Sequence, residues 1–246
     1  MPQREISIST GDGECGASLH IPAGSGPWPG VLMYPDAGSL RDVFRAMGER
    51  MAGLGYVTLV PDIYYRSGEY APFRIESLFS DPGERERLGK LVSLLTADAV
   101  RTDSQAFIGY LTGLDEVTGS AVGTTGYCMG GALSLRAAGM HPDGVAAAAA
   151  FHGGNLAAEG NPDSPHLLAP SIKADVYVAA AANDPSFPDD QYQRLEQALS
   201  SAGVSYTMET YPAGHGFAVT DNPTYDATAE QRHWDALASL YAKLPR

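Results

Sequence analysis

Apolar positions along the chain form short continuous runs that alternate with segments of helical spacing. The run "PGVLMYP" at residues 29–35 is typical of a strand buried in a parallel sheet. The apolar residues that follow at helical spacing are Phe44, Met47, Met51 and Leu54. The run "YVTLVPDIYYR" at residues 56–66 then predicts the next buried strand. The order strand, helix, strand predicts a parallel unit with a helical crossover.

The N-terminal segment has a different pattern. Two β-prone runs, "EISIST" and "ASLHIPA", flank "GDGECG", and the pair Asp12-Gly13 favours a hairpin turn. The same six residues match G-x-G-x-x-G, which in dinucleotide-binding proteins leaves a strand and opens a helix. Because a second strand-like run follows here, we predict a hairpin and not a nucleotide site.

The second half of the chain repeats the alternation. Asp81, followed by Pro82, predicts a helix start, and the leucines after it predict a long or broken helix that ends near Leu114. Four further strands are predicted in "SAVGTTGYC", "GVAAAAAFHGG", "DVYVAAAAND" and "SYTMETYPAG", with helices after the first, third and fourth. The expected fold is α/β, with one domain over residues 1–246 and a mostly parallel central sheet covered by helices on both faces.

Composition and charge narrow the possible functions. Sixteen Lys and Arg stand against 29 Asp and Glu, a formal net charge of −13, which repels nucleic acids and anionic membranes. The start "MPQREISIST" lacks the apolar run of a signal peptide, and no stretch approaches the roughly 18 apolar residues of a membrane span. We therefore expect a cytoplasmic protein with neither nucleic-acid nor membrane partners; the sequence leaves its oligomeric state open.

The cysteines differ in their surroundings. Cys15 lies in the predicted hairpin without a motif around it, whereas Cys128 is the centre of Gly126-Tyr127-Cys128-Met129-Gly130, which has the form G-x-C-x-G. This is the thiol version of the nucleophile elbow, a sharp turn from strand to helix that needs glycines on either side. The positive end of a helix favours thiolate over thiol, and the Met129 N–H would face a developing oxyanion. The alternative is that Cys128 is a small buried residue.

Two residues downstream have the types and order that an elbow nucleophile requires. Asp184 ends the strand-like run "VYVAAAAND", and His215 follows the last predicted strand in "YPAGHGF". An elbow hydrolase has its acid after a later strand and its histidine after the last one. Asp184 could instead only begin a turn, but three suitable residues in the expected order favour a catalytic triad.

These motifs resemble those of the dienelactone hydrolases (carboxymethylenebutenolidases) of the α/β-hydrolase superfamily. The resemblance covers most of the chain and includes "GYCMGG", the Asp184 turn and "AGHGFA". It implies an α/β-hydrolase fold with Cys128 as nucleophile, His215 as base and Asp184 as the residue that orients His215. Asp36 occupies the position of a glutamate that interacts with the resting thiol in the family; the alternative is an N-cap or loop carboxylate. By position, the Ala37 N–H is the candidate second oxyanion donor.

One departure from the family concerns the substrate. Members that act on dienelactones have an arginine after H-x-F-A to bind the substrate carboxylate, but "HGFAV" has Val219 there. Because valine cannot bind a carboxylate, we predict a more neutral or apolar ester, lactone or thioester substrate. The candidate pocket residues are Tyr64, His152, Phe187 and Phe217. The alternatives are that the aromatic residues belong to the core and that His152 lies at the rim of the site or has a structural role.

Two other classes of protein could contain a cysteine at such an elbow. Class I glutamine amidotransferases also use a cysteine elbow, but their histidine lies in H-x-E, whereas His215 lies in "HGF". The protein could instead be a non-catalytic binding or thiol-sensing protein in which Cys128 responds to oxidants. A sensor needs a reactive thiol but does not need a histidine and an aspartate to move protons. No cluster of His, Asp and Glu has metal-ligand spacing, so we expect neither a metal nor an organic cofactor.

Overall fold

The computed structural model describes residues 3–244, and its strands form one eight-stranded sheet. The strands are β1 (Gln3–Thr10), β2 (Gly13–His20), β3 (Trp28–Tyr34), β4 (Val57–Pro61), β5 (Val117–Tyr127), β6 (Val145–Phe151), β7 (Asp175–Ala181) and β8 (Tyr206–Tyr211). Their order is β1-β2-β4-β3-β5-β6-β7-β8. The strands β3 to β8 are parallel, whereas β2 pairs antiparallel with both β1 and β4. The central strands are apolar on both faces, as a covered parallel sheet requires.

Helices cover both faces of the sheet. They are α1 (Asp42–Gly53), α2 (Pro82–Val92), α3 (Ala97–Thr112), α4 (Met129–Met140), α5 (Asp189–Ser201) and α6 (Ala227–Tyr241). Buried side chains of α1 and α6 belong to one core layer, and those of α2 to α5 belong to the other. This arrangement confirms the predicted fold class. No helix within residues 3–244 is long and apolar enough to cross a membrane.

Two local predictions can be compared directly with the structure. The predicted hairpin is present, because Thr10 pairs with Gly13 across the turn between β1 and β2. The long helical segment is a broken pair: α2 begins after Asp81, whose side chain caps it, and α3 begins after Thr96, whose side chain accepts a bond from the Ala99 N–H. Since each helix has its own N-cap, the chain can change direction between them.

The parallel strands bring distant parts of the chain to one edge of the sheet. Cys128 follows β5, His152 follows β6, Asp184 follows β7 shortly after its end, and His215 follows β8. In open parallel sheets, binding crevices form beyond the carboxyl ends of the strands. The fold therefore assembles these side chains at the edge where a site is expected.

Candidate active site

Cys128 lies in a strained turn between β5 and α4. Its backbone has φ 54° and ψ −120°, a conformation that side-chain-bearing residues rarely adopt. Close packing imposes this turn: a Cβ on Gly126 would lie 1.8 Å from the Gly130 carbonyl oxygen, and one on Gly130 would lie 2.4 Å from the Tyr34 oxygen. The two glycines of the elbow are therefore required by the contacts that the turn makes.

The Cys128 N–H is held by residues at the end of β6. It donates to the Phe151 carbonyl oxygen and to Nδ1 of His152, both at 3.1 Å. Burial, together with the charges of His215 and His233, keeps the pKa of His152 well below its usual value. A neutral His152 can accept this bond at Nδ1, so it fixes the elbow without adding a positive charge beside His215.

His215 and Asp184 form a short charge-assisted hydrogen bond. His215 Nδ1 lies 2.6 Å from Asp184 Oδ2, and the Asp184 side chain is nearly fully buried. Ser186 donates to the other carboxylate oxygen, Oδ1, through its hydroxyl at 2.7 Å and its N–H at 2.8 Å. The Ser186 hydroxyl also lies 3.3 Å from His215 Nδ1. Because both carboxylate oxygens are held, the imidazole ring has a fixed orientation.

The protonation of His215 follows from its partners. Burial alone would lower the pKa of His215, but the hydrogen bond to Asp184, the nearby Cys128 thiol and the charges of both groups raise it to about 10. Burial would likewise raise the pKa of Asp184, yet the bonds from His215 and Ser186 hold it below its usual value. The pair is therefore an imidazolium and a carboxylate at neutral pH.

Two backbone N–H groups lie beside Cys128. Ala37 and Met129 line the same cavity as Cys128, and within residues 3–244 neither N–H donates to an acceptor. Met129 is the first residue of α4, where N–H groups have no partner inside the helix. The Tyr64 hydroxyl donates to the Ala37 carbonyl oxygen at 3.1 Å and so helps to fix the backbone at Ala37. Both N–H groups are free to bind an oxyanion.

The Asp36 carboxylate forms an ion pair with Arg41. Arg41 donates from Nη1 to Asp36 Oδ1 at 2.6 Å and from Nη2 to Oδ2 at 2.9 Å. The Gly38 N–H adds a bond to Oδ1 at 2.8 Å. Arg41 also pairs with Asp221, which lies in the loop after His215. Asp36 thus neutralises Arg41 and ties the loop after β3 to the loop after β8.

A cavity of about 670 Å³ contains the three candidate catalytic side chains. Cys128, Asp184 and His215 all contribute to its lining. One wall is apolar and consists of Phe79, Leu88, Val92 and Leu95. The lining also includes the polar residues Arg136, Asn155, Asn161 and Asp163. A larger open depression of about 850 Å³ lies elsewhere and contains none of the three catalytic candidates.

The structure corrects the predicted pocket. Tyr64, His152 and Phe217 are at most 1% exposed, and Phe187 is 4% exposed; none of the four lines the cavity with Cys128. His152 and Phe217 instead pack together behind His215, with ring centroids 4.9 Å apart. These buried aromatic rings stabilise the core, because their burial removes a large apolar surface from water. Val219 is also fully buried.

Other residues of the site lie outside the sequence motifs that predict the triad. Ser186 follows Asp184 by two residues, and Arg136 is a charged residue within the small-residue segment of α4. The apolar wall comes from α2 and the segments on either side of it, and the sequence predicts only a helical stripe for its leucines. An arginine within an otherwise small and apolar helix was the one sequence signal that pointed to any of them.

Comparisons with known proteins agree with this architecture. A sequence profile described as "Dienelactone hydrolase family" matches residues 15–244. The carboxymethylenebutenolidase of Pseudomonas putida is 26% identical over 245 residues, covering 98% of each chain. A Synechocystis sp. protein provisionally named carboxymethylenebutenolidase is 29% identical over 226 residues, covering 91% of this chain and 89% of its own. The crystal structure of P91, a dienelactone hydrolase-like promiscuous phosphotriesterase from metagenomic libraries, has a TM-score of 0.79 at 29% identity and covers 99% of this chain and 98% of its own.

Proposed function

This chain belongs to the dienelactone hydrolase family and is therefore a hydrolase of ester or lactone bonds, and we propose that it acts through a Cys128-His215-Asp184 triad. The substrate class is a small ester, lactone or thioester. One observation carries the proposal: His215 bonds Asp184 through Nδ1 at 2.6 Å, and the side chains of Cys128, His215 and Asp184 all line one cavity. A nucleophile, a base and an orienting acid in this relation form the triad of covalent acyl transfer.

The first half-reaction forms an acyl-enzyme. The Cys128 thiolate attacks the carbonyl carbon, and the N–H groups of Met129 and Ala37 bind the resulting oxyanion. The carbon–oxygen bond to the leaving group then breaks, and the departing oxygen takes the proton from His215 Nε2. Because the pKa of His215 is raised to about 10, the ring holds this proton at neutral pH and has it ready for the leaving group.

The second half-reaction releases the acid. His215, now neutral, takes a proton from water, and the hydroxide attacks the carbonyl carbon of the thioester. The carbon–sulfur bond breaks, which regenerates the Cys128 thiolate and the protonated imidazole. Asp184 remains ionised and holds the ring in one orientation throughout. This sequence consumes one water and requires neither a metal nor an organic cofactor.

Asp36 has a structural role in this proposal. Its carboxylate is neutralised by two bonds from Arg41, so it anchors the loop that presents the Ala37 N–H. A direct action on the Cys128 thiol would require this ion pair to open. The oxyanion site therefore depends on Asp36 through the backbone position of its neighbour.

Thiol sensing without catalysis is the competing function. The Asp184 carboxylate, with both oxygens bonded and the imidazole oriented, argues against it, because a sensor needs a reactive thiol but no proton shuttle. Steady-state hydrolysis of small aryl esters, enol lactones and thioesters by the wild type and Cys128→Ala separates the two. Alkylation of the thiol is the parallel control. Turnover that disappears in Cys128→Ala supports the hydrolase, whereas rapid alkylation without turnover of any substrate contradicts it.

A further inference from the structure

Arg136 is a buried cation without a protein partner. The residue is only 8% exposed, and its Nε and Nη2 atoms are sealed from solvent without a hydrogen-bond partner among the described residues. Leaving a buried charge unpaired costs free energy, which is why buried arginines are almost always paired. Arg41 follows that rule, because it pairs with Asp36 and Asp221. The unpaired guanidinium of Arg136 therefore indicates a binding site for an anionic ligand.

Arg136 faces the cavity that contains Cys128. Met129, Ala132 and Arg136 all line this cavity, and their spacing puts them on one face of α4. At 1.5 Å per residue, Arg136 lies about 12 Å beyond Cys128 along the helix axis. Side chains in a helix lean towards its N-terminus, and for α4 this is the end at which Cys128 lies.

The acidic residues near Arg136 do not fully balance its positive charge. Asp163 is the acidic residue whose charge acts most strongly on the guanidinium, but it is exposed and bonds neither Nε nor Nη2. Burial lowers the pKa of Arg136, and the charge of Asp163 offsets only part of this effect. A monoanionic ligand group would complete the pairing, whereas a dianion would meet stronger repulsion from Asp163 and from the net charge of −13.

We propose that Arg136 binds a carboxylate at the far end of the substrate, so that the enzyme selects an ester, lactone or thioester whose acyl chain bears a terminal carboxylate. Leu88 and Val92 of the apolar wall then contact the chain between the reacting carbonyl and the carboxylate. This deepens the proposed function and rests on it. It also replaces the neutral substrate expected from Val219: the cation comes from α4 and not from the loop after His215.

Matched substrates test this assignment. Monophenyl adipate and its terminal carboxamide counterpart differ only in the charge of the distal group. We expect the wild type to prefer the acid by about 10- to 100-fold in kcat/KM, the range for a hydrogen bond to a charged group. Arg136→Met should reduce the acid-to-amide ratio to about one, and Arg136→Lys should retain part of it. Arg101→Met removes a nearby exposed cation outside the cavity and should keep the wild-type ratio.

A binding assay separates failure of the inference from failure of the proposed function. Protection of Cys128 from iodoacetamide by 4-phenylbutanoate is compared with protection by 4-phenylbutanamide, which requires no turnover. We expect stronger protection by the acid in the wild type and equal protection in Arg136→Met. Acid preference in this assay without hydrolysis of either ester would overturn the proposed function and leave the carboxylate site standing.

Two results would overturn the inference itself. One is that the wild type hydrolyses the acid and amide esters with equal kcat/KM, and that the acid and amide ligands protect Cys128 equally. This comparison does not require any variant to fold. The other is an undiminished preference for the acid in a folded Arg136→Met protein, since the carboxylate would then be bound elsewhere. Thermal unfolding of each variant establishes that it is folded before its ratio is interpreted.

Discussion

His215 donates from Nδ1 to Asp184 Oδ2 at 2.6 Å, and this bond joins the loop after β8 to the loop after β7. It leaves Nε2 as the nitrogen available to Cys128 and to a leaving group. It also makes Asp184 one of the groups that raise the pKa of His215. The orientation and the protonation of the imidazole thus depend on the same contact.

Asp184→Asn should therefore change both the rate and the titration of His215. The amide removes the negative charge, so the pKa of His215 should fall from about 10, and an amide donor facing Nδ1 favours the wrong tautomer. We expect kcat to fall by at least about 100-fold, by analogy with other triads. Histidine NMR titration and steady-state kinetics measure the two effects. An unchanged pKa of His215 would contradict the assignment of Asp184.

Ser186 is predicted to act as a positioning residue. Its hydroxyl donates to Asp184 Oδ1 at 2.7 Å and helps to hold the pKa of Asp184 low. Ser186→Ala should lower kcat by about tenfold, the equivalent of one hydrogen bond to a charged group, with little change in KM. It should also raise the pKa of Asp184.

Ser186→Thr supplies the matched control, because it keeps the hydroxyl. Restored kcat and a restored pKa of Asp184 in this variant would assign the effect to the hydrogen bond. Equal losses in Ser186→Ala and Ser186→Thr would instead indicate that only the packing of the loop matters.

The elbow glycines should not tolerate a methyl group. A Cβ on Gly126 would lie 1.8 Å from a backbone oxygen, which cannot move without displacing α4. We expect Gly126→Ala to abolish thiol-dependent turnover and to lower the melting temperature. Gly109→Ala in α3 is the matched control: nothing lies within 4 Å of its new Cβ, and it should be neutral or stabilise by up to about 1 kcal/mol. Wild-type activity in Gly126→Ala would refute the close packing described for the elbow.

The raised pKa of His215 also makes stability depend on pH. A group whose pKa is higher in the folded state contributes stability at low pH and loses it as pH rises. The contribution of His215 should be complete below about pH 6.5 and disappear as the pH passes about 10. Urea unfolding of the wild type and His215→Gln across this range measures it. The difference in unfolding free energy should shrink with rising pH; a constant difference would rule out the proposed ion pairing.

Local sequence signals predicted the three candidate triad residues and most of the elements around them. The glycines beside Cys128 predicted the elbow because the turn itself requires them, and the strand-like runs before Asp184 and His215 predicted their location at strand ends. The match of the family profile to residues 15–244 bears out the resemblance that these motifs suggested.

The substrate cavity could not be predicted in the same way, because its walls depend on packing between distant elements. Tyr64 and Phe217 are aromatic residues near the site in sequence, yet both lie in the core. Leu88 of α2 lines the cavity although nothing local distinguishes it from other helix leucines. The pairing of Asp36 with Arg41 likewise depends on loop conformation, since Arg41 also bonds Asp221 in the loop after β8.

Acid-quenched mass spectrometry during turnover of an activated aryl ester shows whether hydrolysis proceeds through an acyl group on Cys128. We expect an added acyl mass on the peptide that contains Cys128, a burst of one aryl alcohol per enzyme, and neither signal in Cys128→Ala. Turnover by Cys128→Ala at the wild-type rate, without an acylated peptide in either protein, would contradict this mechanism.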